Sequence, residues 1–221
     1  MKLIVAAMKD EISIFLVNYK LEKLSDNLFK SKNFILLITG IGLMNSMYEL
    51  HKVLNQYKEV KEVINVGTCG TNKQECKINT PYYVSEVNNL MADVRAFDYK
   101  IGQTPKGFCS IKTDDNLNKK FEAKGILGNK VLGSSDTFFN TELHKKYLIN
   151  DWNNIIDLID MEGYALAYIC KKKNLKLGII KWPSDSLFNS VYNSSEEFEN
   201  NLNQNIKYNI SEVLTDLVEE I

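Results

Sequence analysis

Val60-Lys61-Glu62-Val63-Ile64-Asn65-Val66-Gly67-Thr68-Cys69-Gly70 is the stretch on which the fold turns. Its β-branched first half, Val60 to Val66, reads as a buried strand, and Asn65 to Gly70 reads as the glycine-rich loop that ends it. Just upstream, Met44, Met47, Leu50 and Leu54 recur three or four apart, the spacing of one helix face. Just downstream, Tyr82 to Val87 is again β-branched and aromatic. The same alternation extends both ways. Leu3 to Ala7 and Phe34 to Ile38 are short apolar runs before it, and Ile126 to Leu132, Ile155 to Ile159 and Leu175 to Ile180 follow it. Ala165, Tyr168 and Ile169 mark a further helix. The last helix opens at Ser194 with Glu197 three residues on, a capping-box pattern, and carries Phe198, Leu202, Ile206, Val213, Leu217 and Ile221 on one stripe. Strands alternating with helices imply an α/β fold with a largely parallel, twisted central sheet.

Composition removes several classes. The 221 residues suit one good-sized domain, and no linker-like shift divides the chain, so 1–221 reads as a single domain. Lys+Arg 27 against Asp+Glu 28 gives a net charge of -1, without the basic excess of a nucleic-acid binder. No run approaches the ~18 apolar residues of a membrane span, and the N-terminal apolar run stops at Lys9-Asp10-Glu11, too short for a signal-peptide core. Cys69, Cys76, Cys109 and Cys170 form no CxxC pair and read as reduced thiols of a cytoplasmic protein. His51 and His144 stand alone, so no metal site is expected.

In open α/β sheets, ligands bind where strands end. Four strand ends here carry polar or glycine residues: Met8-Lys9-Asp10-Glu11, Thr39-Gly40-Ile41-Gly42, Asn65 to Gly70, and Lys181-Trp182-Pro183-Ser184-Asp185. Each has a plain structural reading. Gly-x-Gly marks a tight turn, and without a full GxGxxG it is weak support for a dinucleotide. Glu11 suits the start of a helix and Asp185 suits a turn or N-cap. Asp160-Met161-Glu162 is harder to dismiss, because two acids lie between an apolar strand and an apolar helix, and buried carboxylates are costly unless partnered.

Taken together, the set resembles the nucleoside phosphorylase/nucleosidase superfamily, within it the 5′-methylthioadenosine/S-adenosylhomocysteine nucleosidases. The likeness runs in one order from Met1 to about Asp185. It takes in Ala7 to Glu11, Thr39 to Gly42, Asn65 to Gly70, Ala92-Asp93-Val94-Arg95-Ala96-Phe97, Gly102 to Pro105, Ser135 to Asn140, Asp160 to Glu162 and Ser184-Asp185. The resemblance implies a three-layer α/β/α domain with a mixed, largely parallel sheet. The implied reaction is hydrolysis of a purine N-ribosidic bond without a cofactor.

Such a bond breaks through a ribosyl oxocarbenium-like state. An acid must protonate the leaving base, something must hold the ribose while positive charge builds, and a water must be aimed at the anomeric carbon. By resemblance Asp185 is the acid, Glu11 the base for water, and Glu162 the group on the ribose hydroxyls. Met161 packs on the sugar, Phe138 stacks on the purine and the Phe139 backbone reads its edge. Met8, Ile41, Thr68, Cys69 and Gly70 line the pocket, and Asp160, Lys181 and Ser184 join the substrate-binding set. Phe97 and Pro105 match the contribution of a neighbouring subunit to the 5′ pocket, which implies a homodimer. Phe188, Tyr192 or Phe198 is the aromatic that closes the site.

The chain departs from the family at Lys181 for Arg, Trp182-Pro183 for a small aliphatic pair, Asp160 for Glu, Gly163 for Ala and Cys69 for Ala. Phosphorolysis needs a phosphate site, for which related phosphorylases use several arginines, whereas Arg95 is this chain's one arginine. Water is thus the expected nucleophile. A phosphate-dependent phosphorylase and a nucleoside-binding module without turnover remain the alternatives, with a dinucleotide protein as an outsider.

Overall fold

The computed structural model describes residues 1–187 and 194–219. In chain order the elements are β1 (Lys2–Ala6), α1 (Ser13–Asn18), β2 (Glu22–Lys23), β3 (Leu28–Lys30), β4 (Phe34–Ile38), α2 (Leu43–Gln56), β5 (Glu62–Thr71) and β6 (Tyr82–Asn89). A 3-10 turn (Arg95–Phe97) leads to β7 (Ser110–Lys112), α3 (Asp115–Ala123), β8 (Leu127–Ser134), α4 (Glu142–Asn150), β9 (Leu158–Asp160), α5 (Gly163–Lys173) and β10 (Lys176–Ser186). Finally α6 (Ser194–Asn201) runs through a π-helical turn (Leu202–Ile206) into α7 (Lys207–Glu219).

β1 lies between β4 and β5, parallel to both. Its neighbours cover it on both edges and helices cover both faces, which is why β1 and β4 read as continuous apolar runs. One core sits under α2 and α5, with Leu50, Val53, Leu54, Leu166 and Ile169 buried against the sheet. A second sits under α1, α3 and the C-terminal helix, with Phe15, Phe121, Ile206 and Leu214 buried. Helices therefore flank the mixed sheet on two sides.

The sheet is not open. β10 pairs parallel with β5 and antiparallel with β6, while β6, β8 and β9 pair in turn and β9 returns antiparallel to β5. These five strands form a closed ring, and β1, β4, β3 and β2 extend it as a flap from β5. The glycine segment predicted as a loop is strand: β5 continues through Gly67 and Gly70 to Thr71, because β10 runs beside it to Ser186. Ile155 to Ile159 is likewise corrected. Asn153 and Asn154 have φ of 46° and 54°, left-handed turn geometry, so Ile155 is exposed and the strand starts only at Leu158.

On the last helix, Ile210 and Leu214 carry the buried stripe and Val213 only flanks it. The π-helical turn inserts an extra residue into the register and rotates the face that follows. Ile221 and the Ser194 side chain lie outside the described residues. The Glu197 carboxylate of the capping-box pattern accepts a hydrogen bond from Ser186 N at 3.2 Å, tying α6 to the end of β10.

Candidate active site

At the C-terminal ends of β1 and β5 the ring, the flap and α6 enclose a cavity of about 260 Å³. Five segments line most of it: Ala7, Met8 and Glu11 after β1, Thr68 to Gly70 on β5, Thr137 to Phe139 after β8, Ile159 to Glu162 at β9–α5, and Ser184 and Asp185 on β10. Ile41, Leu187, Ser195, Phe198 and Glu199 complete the wall.

Glu11 is fully folded into the protein. Its Oε1 accepts from Thr68 N and Thr68 Oγ1, both at 2.7 Å, and its Oε2 accepts from Met8 N at 3.0 Å. A carboxylate offers about four lone-pair sites, so three bonds leave roughly one free for a further donor such as water. Gly67 permits this approach, since a Cβ there would come 2.8 Å from Glu11 Oε1.

Asp185 owes its direction to an irregularity. The β10–β5 register pairs Pro183 with Cys69 and Asp185 with Gly70, leaving Ser184 as a bulge. Bulges re-aim side chains. They also accommodate a proline inside an otherwise paired strand, which explains how Trp182-Pro183 is tolerated here. Ser184 Oγ lies 2.8 Å from Asp185 Oδ1 and 3.1 Å from Cys69 O. A Cβ on Gly70 would come 3.1 Å from Asp185 Oδ2, so the acid lies directly over the strand. Thr68, which holds Glu11, and Gly70, beneath Asp185, are two residues apart on one strand, hence about 7 Å. Burial pushes the Asp185 carboxyl up to about 7, with Glu197 adding to the shift and the Ser184 hydroxyl opposing it.

Glu162 precedes α5 but does not cap it. Asp160 Oδ2 and Oδ1 accept from Gly163 N at 2.9 and 3.1 Å, and Ser134 Oγ accepts from Tyr164 N at 2.9 Å, so the helix's first N–H groups are already met. The Glu162 side chain is thereby released toward the cavity, where Oε1 accepts from Gly42 N at 3.0 Å. Burial and then the neighbouring Asp160 raise this carboxyl to about 7; Lys181 and the Gly42 N–H pull the other way.

Lys181 differs from the sequence expectation. Its side chain is buried and its Nζ lies 2.8 Å from Asp160 Oδ2, with both side chains 1% exposed. It does not line the cavity. Lys181 is therefore a charge beneath the cavity wall, paired with Asp160, and not part of the lining. Asp160 borders the cavity, but its oxygens serve Lys181, Ser134 and Gly163. Burial alone would lower the ammonium pKa, yet Asp160, Glu162 and Glu11 outweigh it and hold the lysine above its ordinary range.

Phe138 and Phe198 face each other edge to face, ring centroids 6.4 Å apart at 78°. Phe198 is thus the cavity aromatic from the last helix; Phe188 and Tyr192 lie outside the described residues. Phe139 is buried and stacks on His144 at 4.6 Å. Cys69 lines the cavity, but burial holds its thiol well above the ordinary range, so it stands as a neutral, poorly nucleophilic group. Phe97 is 74% exposed and Pro105 is exposed; neither borders the cavity. Sequence reasoning did not single out Leu187, Ser195 or Glu199, whose lining positions depend on how α6 folds back.

The family model of the phosphorylase superfamily matches residues 9–219. The chain belongs to the phosphorylase superfamily. Nucleosidases are among its relatives there. One from Buchnera aphidicola, a 5′-methylthioadenosine/S-adenosylhomocysteine nucleosidase, is 32% identical over 209 residues, 89% of this chain and 81% of the relative. The aminodeoxyfutalosine nucleosidase of Helicobacter pylori strain J99 is 25% identical over 88% of this chain and 90% of its own. A solved structure, a candidate 5′-methylthioadenosine/S-adenosylhomocysteine nucleosidase of Borrelia burgdorferi bound to adenine, superposes with a TM-score of 0.87 at 25% identity, covering 100% of both chains. Within the superfamily, the single arginine of this chain is committed elsewhere: Arg95 pairs with Asp93 at 2.7 Å and Asp151 at 2.9 Å.

Proposed function

We propose that the chain hydrolyses the N-ribosidic bond of a purine nucleoside such as 5′-methylthioadenosine or S-adenosylhomocysteine, releasing adenine and the 5′-substituted ribose. One observation carries this reading: three acids distant in sequence, Glu11, Glu162 and Asp185, border a single cavity. Protonated Asp185 gives its proton to the imidazole nitrogen of the departing purine, a role suited to a carboxyl raised to about 7. Ionised Glu162 accepts hydrogen bonds from the ribose hydroxyls and offsets the positive charge that builds on the sugar. Glu11 takes a proton from the attacking water as the new C–O bond forms. Met161 packs on the sugar, while Phe138 and Phe198 bound the slot for the base.

Water as the nucleophile is supported by what Glu11 occupies. The Thr68 N–H, Thr68 hydroxyl and Met8 N–H form a donor set suited to an anion, and the protein's own carboxylate fills it. Phosphate would have to displace a like charge. The test is adenine release from methylthioadenosine in phosphate-free buffer, with aminodeoxyfutalosine as a parallel substrate given the relatives. Release only after phosphate is added would make the chain a phosphorylase; tight binding without release would make it a binding module.

A homodimer fits the exposed apolar side chains Ile41, Met44, Met91 and Phe97, which a second copy would cover while bringing Phe97 and Pro105 to the neighbour's 5′ pocket. Sedimentation checks it. Four free cysteines support a cytoplasmic setting, and no helix among the described residues is long and apolar enough to cross a membrane.

A further inference from the structure

The N–H groups that open α2 are met by two carboxylates from outside the helix. Gly42 N donates to Glu162 Oε1 at 3.0 Å, and the next one, Leu43 N, donates to Asp136 Oδ1 at 2.7 Å. Gly42 has no side chain with which to cap the helix. Its φ is +101°, and a Cβ there would come 2.8 Å from Asp136 Oδ1. The backbone is therefore folded closely around that carboxylate. Asp136 belongs to the segment after β8, two residues before Phe138, which borders the cavity. Two bonds of its neighbours, Ser135 N to Asp160 O at 3.1 Å and Thr137 N to Ser135 Oγ at 3.2 Å, hold the base of this segment and do not reach α2.

We propose that Asp136 is a positioning residue: by capping α2 from across the site, it fastens the Phe138 segment to the helix end that orients Glu162. Base slot and sugar acid are then held as one unit, although the carboxylate and the N–H it accepts from are 93 residues apart. An acid at a helix N-terminus also gains from the aligned peptide dipoles. The role rests on the nucleosidase reading, since it predicts a grip on adenine.

The experiment measures the inhibition constant of free adenine, KM and kcat for methylthioadenosine, and Tm, in wild type, D136A, D136N and L43P. Leu43 is the first residue of α2, where proline's missing N–H leaves no intrahelical bond broken. Gly42, with ψ of 156°, already has the extended ψ that a following proline requires. L43P thus removes the donor while Asp136 stays. D136A should raise the adenine constant and KM about fivefold to tenfold, the size of a lost cap, with kcat changed less than about threefold. D136N, which keeps an oxygen in place, should recover to within about twofold, and adding L43P to D136A should change little more. A D136A protein with lowered Tm but an unchanged adenine constant overturns the inference, as do L43P and D136A effects that multiply. If D136A does not fold, an L43P protein with wild-type adenine affinity overturns it as well. A wild-type chain that neither binds nor releases adenine removes the nucleosidase reading and this role with it.

Discussion

Replacing Lys181 with methionine keeps most of its volume and deletes its charge. The structure predicts two separable consequences. Lys181 Nζ and Asp160 Oδ2 are 2.8 Å apart with side chains 1% exposed, so the mutation leaves an uncompensated buried carboxylate. Breaking such a pair from one side costs about 3–5 kcal/mol. Asp160 keeps its bonds from Ser134 Oγ and Gly163 N, which places the loss toward about 3 kcal/mol. For a chain of this size that lowers Tm by roughly 6–12 °C. Adding Asp160→Asn removes the stranded charge and should recover most of the loss, a non-additivity that a double-mutant cycle reads directly. The second consequence is electrostatic. Burial and Asp160 raise Glu162 to about 7 while Lys181 pulls it down, so without the lysine the Glu162 carboxyl moves higher still. Because the proposed mechanism uses ionised Glu162, the rising limb of kcat/KM against pH should move to more alkaline values. Scanning calorimetry and pH–rate profiles check both. A Tm within about 2 °C of wild type would refute the buried-pair argument, and an unmoved limb would refute the coupling to Glu162.

Wild-type kcat/KM should show a narrow bell centred near pH 7, since the proposed mechanism needs Glu162 without its proton and Asp185 with its own, and both carboxyls are raised to about 7. Asp185→Asn should lower kcat by about 10²–10⁴-fold in an adenine-release assay. The same change should stabilise the fold at alkaline pH. The folded Asp185 pKa lies above its ordinary 3.8, so its stability contribution is complete below about 3.8 and is lost as pH rises through about 7. Thermal melts should therefore show the D185N protein more stable by several degrees at pH 8 and nearly equal to wild type at pH 4. Glu11→Ala should lose turnover while leaving the Thr68 and Met8 donors open to the cavity. Added formate should then restore part of the rate in the variant and none in wild type, and equal effects on both would contradict the proposed role of Glu11.

The layered fold was legible because its central strands are buried on both faces and so appear as unbroken apolar runs, as in Phe34 to Ile38. Closure of the ring was not. The Lys176–Ser186 strand touches β5 along its length but meets β6 only at Ile180 and Lys181, and nothing in its hydropathy distinguishes an edge strand from one paired on both sides. Short elements such as β2, β3 and β7 carry too few residues for periodicity to register. α3 has a readable start in Asp114, whose side chain accepts from Asn116 N and Leu117 N, a capping signal that apolar periodicity alone does not use. In the site, acids between apolar runs pointed to Asp160 and Glu162. The destination of Lys181 was hidden, because a lysine inside a strand gives no sign of which carboxylate it will meet once the strand is buried.

That hidden lysine bears on why the site tolerates so many acids. Glu11, Asp160, Glu162 and Asp185 are each at most 6% exposed, and four buried negative charges around one small cavity would repel each other strongly. The protein divides the problem by position. Asp160 is neutralised from below by Lys181, and Glu11 is held by three hydrogen-bond donors. Glu162 and Asp185 have fewer such partners, one N–H from Gly42 and the Ser184 hydroxyl, and burial raises both to about 7. Those are the two groups to which the proposed reaction gives opposite protonation states. In the proposed reaction Lys181 would act from beneath the cavity: its positive charge favours ionised Glu162, while Asp185, on the far side of the β10 bulge, is left to keep its proton.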